Sequence, residues 1–198
     1  MNYLRPTFVA QDVEMLTPAV ANRYAINTIA FDVDGTLSNY HAHELEPTVR
    51  DALGELGSAG IKLFIVSNAY DERAEELASI YCEVVPEANV ITPASVAPEG
   101  EKLSSYRKPS PAMLRHVVEL SQDKPTHTLM VGDQLLKDII SANRAGTKSL
   151  LLPRRGTGDH PAVRFQRVPE TILRAGLSLP VQGNRFISNF PEEVTPTR

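Results

Sequence analysis

Short apolar runs alternate with segments of helical period along most of the chain. INTIAF (26–31), IKLFIV (61–66), HTLMVG (127–132) and KSLLL (148–152) are short and largely unbroken by charge. Runs of this kind predict strands buried on both faces. Between them, 47–58, 71–80, 110–121 and 135–145 space apolar residues three and four apart, as at Leu135, Ile139 and Ala142. That period predicts helices with one buried side. Asp71 and Ser110 are expected N-caps, the latter followed by Pro111 at the first helical position. Gly60 and Gly146 stand where helices should stop. Strand–helix alternation implies βαβ units, and so an α/β, Rossmann-like doubly wound parallel sheet. A further helix is expected within 160–175, kinked or split at Pro169, and 177–198, with Pro180, Pro191 and Pro196, reads as an irregular tail. Residues 1–176 then form the single domain.

Composition changes this picture little. The 198 residues are 42% hydrophobic and 22% charged, enough to bury a sizeable core. One cysteine, Cys82, excludes an internal disulfide, points to a reducing compartment and is expected as a small core or semi-buried residue. Arg5, Asp12 and Glu14 break up the N-terminal apolar positions, so neither a signal peptide nor a transmembrane segment is expected, and the localisation read from this is cytoplasmic. Charge is uneven: residues 1–147 carry 12 Lys/Arg against 20 Asp/Glu, and residues 148–198 carry 8 against 4. The basic end could face an anionic partner or membrane surface, but solvated helix faces explain it as well. No dense basic run or aromatic-interleaved stripe suggests nucleic acid.

The polar residues at strand ends carry the chemistry. FDVDGTL (31–37) places Asp32 and Asp34 two apart at the end of the first strand, where buried charge needs a partner or a metal. The second strand ends in Ser67-Asn68 and the third in Gly132-Asp133, while Lys108 lies just before Ser110. Ligands of open α/β sheets bind outside the carboxyl ends of the strands, so these groups can converge on one rim. Clustered carboxylates call for a bridging cation, and oxygen ligands with substrate phosphate suit Mg²⁺. A hydroxyl, a lysine and a metal ion are the parts that hold a phosphoryl group and neutralise its charge. No GxxxxGK[ST] cradle is present, which places the phosphate on a substrate other than ATP.

DVDGTL, IVSN, RKP and GDQLLKD resemble, in order, the four motifs of the haloacid dehalogenase superfamily, across residues 32 to 138. The resemblance implies that Asp32 is the nucleophile that becomes an aspartyl phosphate. It implies that Asp34 is the general acid/base and lends its carbonyl to Mg²⁺. It further implies phosphate binding by Ser67, Asn68 and Lys108, metal ligation by Asp32, Asp34 and Asp133, and support from Thr36 and Asp138. MLTPAVANRYAINTIAFDVDGTL and GDQLLKDIISANRAG are similar to the YqeG-like, class IIIA phosphatases, which include phosphatidylglycerophosphate phosphatases. Gly35-Thr36 stands where that group often has Asn-Thr, and 82–107 is longer than expected for it.

Spacing narrows the class. Asp34 to Ser67 is 33 residues and Ser67 to Lys108 is 41, room for a helix, a strand and a loop over 91–107 but not for a separate cap domain. An uncapped site is open to bulky substrates, small-molecule or lipid-headgroup phosphates alike, unless a loop or a homo-oligomer partner covers it. His41 and His43 could touch substrate or hold a second metal, though loop histidines are more often solvated; RRGTGDH (154–160) could bind a second anion through Arg154 and Arg155, though a plain surface loop is the more ordinary reading. The expected activity is a Mg²⁺-dependent phosphomonoesterase. The alternative is a signalling phosphoacceptor module of receiver type, which has no need of an acid at the position of Asp34.

Overall fold

The computed structural model describes residues 3–39, 42–86, 89–156, 170–180, 191 and 193–197. Four strands lie where the apolar runs predict them: β2 (Thr28–Phe31), β3 (Lys62–Val66), β5 (Thr128–Gly132) and β6 (Lys148–Leu151). Three two-residue strands join them: β1 (Phe8–Val9), β4 (Val90–Ile91) and β7 (Thr195–Pro196). The sheet order is β4-β3-β2-β5-β6-β1-β7. All pairings are parallel except β1 with β7, which is antiparallel and lies within the span expected to be an irregular tail. Two residues are too few for any periodicity to reveal, which is why these short strands escape the sequence pattern.

Alternation along the central strands sorts the core into two layers. Ile29, Phe31, Leu63, Ile65, Leu129 and Val131 face α2 (Pro47–Ser58) and α3 (Asp71–Tyr81) through Val49, Leu53, Leu56, Leu77 and Tyr81. Ala30, Phe64, Val66 and Met130 face the other way, onto Met113, Leu114 and Val117 of α5 (Ala112–Ser121) and Ala142 of α6 (Ile140–Ala145). Strands buried on both sides need unbroken apolar runs, and each such side chain contributes about 1.5–3 kcal/mol. This is the doubly wound arrangement expected.

The helix ends differ in detail from the sequence expectation. Gly60 and Gly146 follow α2 and α6 at φ of +82° and +79°, as helix stops should. Asp71 is not a cap; it opens α3 at φ +43°, and the extended cap residue is Tyr70. Pro111 caps α5, one residue later than expected, with the Ser110 hydroxyl accepting from the Ala112 N–H at 3.4 Å. The expected helix at 135–145 begins as a wide, π-type turn over Leu135–Ile139 before α6. Residues 170–176, here α7, are helical, while Pro169 lies outside the described residues. Between Ser67 and Lys108 the described chain adds only α3, β4, α4 (Pro93–Val96) and a 3-10 turn at Leu103–Tyr106, so no separate cap intervenes. Cys82 is exposed, because Tyr81 takes the last inward position of α3. Among the described residues no helix is long and apolar enough to cross a membrane.

The layer assignment makes a direct prediction. Ile29→Ala, at a fully buried position on β2, should lower unfolding stability by about 2–5 kcal/mol. Ile172→Ala, at a residue 68% exposed, should change it by less than about 0.5 kcal/mol. Urea unfolding of both variants checks this; similar losses would contradict it.

Candidate active site

The sheet reverses its winding between β2 and β5: β3 and β4 lie to one side of that pair, and β6 and β1 to the other. Clefts form at such switch points, beyond the carboxyl ends of the strands. Asp32 follows β2 there, its N–H reaching the Val131 carbonyl of β5 at 2.9 Å, and Asp133 follows β5 directly. Both carboxylates are buried, 7% and 0% exposed. Strand pairing thus places two charges side by side before any side chain turns.

Lys108 lies between them and the rest of the site. Its ammonium is 2.5 Å from Asp32 Oδ1 and 2.8 Å from Asp138 Oδ1, and it also donates to the Val66 carbonyl at 2.9 Å. Burial alone would push this lysine down, but Asp138 and Asp32 outweigh it and hold the ammonium above its ordinary range. A two-way clasp fixes the lysine backbone. Lys108 N–H donates to Asn68 Oδ1 at 2.8 Å, and Asn68 Nδ2 donates to the Lys108 carbonyl at 3.3 Å. Ser67, 4% exposed, lies at the end of β3, where its hydroxyl accepts from the Ala69 N–H at 3.1 Å. Thr36 donates to Asp32 Oδ2 at 3.4 Å, from a tight turn that Gly35 permits at φ +88°.

One oxygen from each of Asp32, Asp133 and Asp138 lies within 4.8 Å of the other two. Three carboxylates against one ammonium leave an excess of negative charge at the bottom of a cleft. Burial raises Asp138 to about 7, with Asp32 and Asp133 adding to the effect and Lys108 opposing it. An all-oxygen donor set with surplus negative charge is chemically suited to Mg²⁺. Asp138 is locked by its own turn: its Oδ2 accepts from the Gln134 N–H at 3.0 Å, and its N–H returns a bond to the Gln134 carbonyl at 2.9 Å.

Asp34 is placed differently. Its carboxylate stands apart from the three-carboxylate group and meets Arg73 of α3 at 3.2 Å. Arg73 also donates to Glu76 at 2.7 Å and to the Ala42 carbonyl at 3.2 Å, while Glu76 pairs with His43. His43 therefore belongs to this rim network, and His41 lies outside the described residues. Tyr81 lies beneath the same loop; burial, then Asp34 and Asp32, raise its phenol against the pull of Ser38. In the 154–160 stretch, Arg155 is turned onto Glu14 at 2.7 Å and Asp12 at 3.4 Å and gives its N–H to the Gly35 carbonyl at 2.7 Å; residues 157–160 lie outside the described residues. Arg155 thus serves the chain's own acids. Arg73 and Tyr81 are missing from the sequence reading, because a helix's charged first turn and an inward aromatic look the same in any surface or core helix.

The chain matches the family model of haloacid dehalogenase-like hydrolases over residues 40–146, more than half its length, and it belongs to that family. It is 24% identical over 176 residues to a protein named probable phosphatase YqeG of Bacillus subtilis, covering 88% of this chain and 92% of the relative. It is 31% identical over 119 residues to a phosphoglycolate phosphatase of Vibrio parahaemolyticus, covering 60% of this chain and 48% of that protein. Among solved structures, NagD from E. coli K-12 superposes with a TM-score of 0.54 at 17% identity, over 67% of this chain and 90% of that one. A thermostable NPPase from Geobacillus stearothermophilus gives 0.51 at 14% identity, over 69% and 93%. These two likenesses speak for the fold.

Gly132 leaves no room for a side chain: a methyl group there would clash with the Asp138 side chain. Gly132→Ala should displace that carboxylate and lower stability by about 1–3 kcal/mol, the usual cost of overpacking. Thermal and urea unfolding check the prediction, and an unchanged midpoint would contradict it.

Proposed function

We propose that this chain is a Mg²⁺-dependent phosphomonoesterase that works through a phosphoaspartate on Asp32. One observation carries the reading: a buried carboxylate at the sheet's switch point is paired to a buried lysine and flanked by two further carboxylates. Family membership supports hydrolysis over a receiver-type phosphoacceptor module, and relatives carrying phosphatase names support the phosphate ester as substrate class.

In the first half-reaction an Asp32 oxygen attacks phosphorus and the bond to the leaving oxygen breaks. Asp34 gives that oxygen its proton, so the product leaves as an alcohol. In the second, Asp34 takes a proton from water as the water attacks the acyl phosphate. The Asp32–phosphorus bond breaks, inorganic phosphate leaves and the carboxylate is regenerated. Lys108 and Ser67 hold the phosphoryl oxygens, Asn68 keeps the lysine in register, and Thr36 and Asp138 steady Asp32 and Lys108. Asp32, Asp133 and the Asp34 carbonyl would hold Mg²⁺, which when bound supplies charge neutralisation for the phosphoryl group. That the Asp34 side chain is 26% exposed and outside the three-carboxylate group supports giving it the leaving group and water and not the metal.

Small phosphorylated metabolites and lysophospholipid phosphates both fit an uncapped site, and a Mg²⁺-supplemented screen across both sets separates them. Asp32→Asn, nearly isosteric, should fold normally and fall below about a hundredth of wild-type turnover on every substrate, a loss of more than about 2.7 kcal/mol of barrier lowering. Activity should also vanish on chelation and return with Mg²⁺; full turnover in excess chelator would exclude the metal. Asp34→Asn should slow alkyl phosphates by about 10²–10⁴. It should slow aryl phosphates with an acidic phenol much less in the first step, with phosphoenzyme accumulating. At saturating Mg²⁺, equal losses for the two leaving groups in kcat/KM and in the rate of phosphoenzyme formation, both of which report the first step, would end the acid/base assignment.

A further inference from the structure

The helix α7 lies in the part of the chain that the motifs do not reach, and it buries two charged residues against the site. Glu170 and Arg174 are 5% and 6% exposed, one turn apart, with the guanidinium 2.6 Å from Glu170 Oε1. Among the described residues their remaining polar contacts go to the loop that follows β5. Arg174 Nη2 donates to the Asp133 backbone carbonyl at 2.5 Å, and Glu170 Oε1 accepts from the Leu135 N–H at 2.8 Å. The pair thus grips the loop on either side of Gln134, whose N–H is itself bound to Asp138. Apolar packing repeats the connection: Leu173 and Leu177 sit against Leu135 and Ile139, the first and last residues of the wide turn that carries Asp138.

A buried ion pair is a poor source of stability, since desolvation offsets most of its attraction. Two well-packed apolar residues would hold α7 down as well or better. What such residues could not do is donate to the Asp133 carbonyl and accept from Leu135 at once, which fixes the loop's orientation and leaves neither backbone group orphaned.

We propose that Glu170 and Arg174 are positioning residues for the metal site: α7 completes the site by holding the 133–138 loop so that the Asp133 and Asp138 carboxylates converge. The inference rests on the reading that Asp32 and Asp133 hold Mg²⁺, with Asp138 anchoring Lys108 beside them. Linkage then runs both ways. If docking of α7 raises affinity for the cation, the cation must stabilise the docking of α7 by the same factor.

Two measurements on the full chain test this, neither of them requiring turnover. The first is calorimetric titration of Mg²⁺ into wild type, Glu170→Gln and Arg174→Lys, with circular dichroism to establish native folding. Outer partners of metal ligands are typically worth about tenfold or more in affinity, and a loss of that size is expected in both variants. Natively folded variants binding Mg²⁺ within about twofold of wild type would overturn the proposal while leaving the metal reading intact. Wild type that binds no Mg²⁺ would remove both. The second is hydrogen exchange of wild type with and without Mg²⁺, which decides the matter even if the variants fail to fold. Amides in 170–179 should exchange more slowly with the cation present, and identical exchange would overturn the linkage.

Discussion

Everything at the end of this sheet is arranged around the burial of more negative than positive charge. Asp32, Asp133 and Asp138 converge within a few ångströms of one another, with Lys108 as the buried cation among them. Unpaired, such charges would cost several kcal/mol each, so the surrounding structure must be stiff enough to keep them together and polar enough to satisfy them. The stiffness comes from the sheet. Asp32 and Asp133 end adjacent parallel strands whose register is set by fully buried side chains on both faces. The satisfaction comes from short loops that pair their own groups: Asn68 with Lys108, Gln134 with Asp138, and Glu170 and Arg174 with the backbone on either side of Gln134.

The packing at Gly132 shows how narrow the tolerance is. Asp138 sits where any side chain at 132 would have to go, so a glycine before Asp133 is a steric requirement and not a matter of backbone freedom. The wide turn at Leu135–Ile139 has the same origin. Asp138 must point back beneath the strand end while Leu135 and Ile139 remain in the core, and the turn places all three inside. Turns of this kind often mark functional positions, because they re-aim a side chain without ending the helix.

This explains which features were legible in the sequence. The four long strands and the helices were readable because burial on both faces demands continuous apolar runs and one-sided helices demand a 3.6-residue period. The positions of Asp32, Ser67 and Asp133 were readable because strand ends in parallel sheets share one rim, and that of Lys108 because it stands at the entry to the helix α5. Strands of two residues, such as Val90–Ile91 or Thr195–Pro196, exist only through their partners and carry no period of their own. Cap assignments failed where tertiary contacts decide the first turn, as at Asp71, and Cys82 could not be placed because the inward position beside it belongs to Tyr81. Glu170 and Arg174 were invisible for a different reason. Their four-residue spacing is that of any solvated ion pair on a helix, and only the fold reveals that both are buried against Asp133.

The site divides into a rigid floor and an adjustable rim, and the division follows from burial. Lys108, Asp133 and Asp138 are sealed in, so their geometry is fixed before any ligand arrives, as electrostatic stabilisation of a phosphoryl group requires. Asp34 and Arg73 stand higher, with side chains 26% and 13% exposed, on a loop and a helix tied together through Glu76, His43 and the Ala42 carbonyl. In the described chain no cap domain lies between the motifs, so nothing of that kind covers this rim. A floor built for the phosphoryl group cannot distinguish one ester from another, since all present the same oxygens to it. On the proposed reading, discrimination falls to the rim, where Arg73 and Asp34 are paired and partly exposed and where a change of residue leaves the buried charge balance untouched.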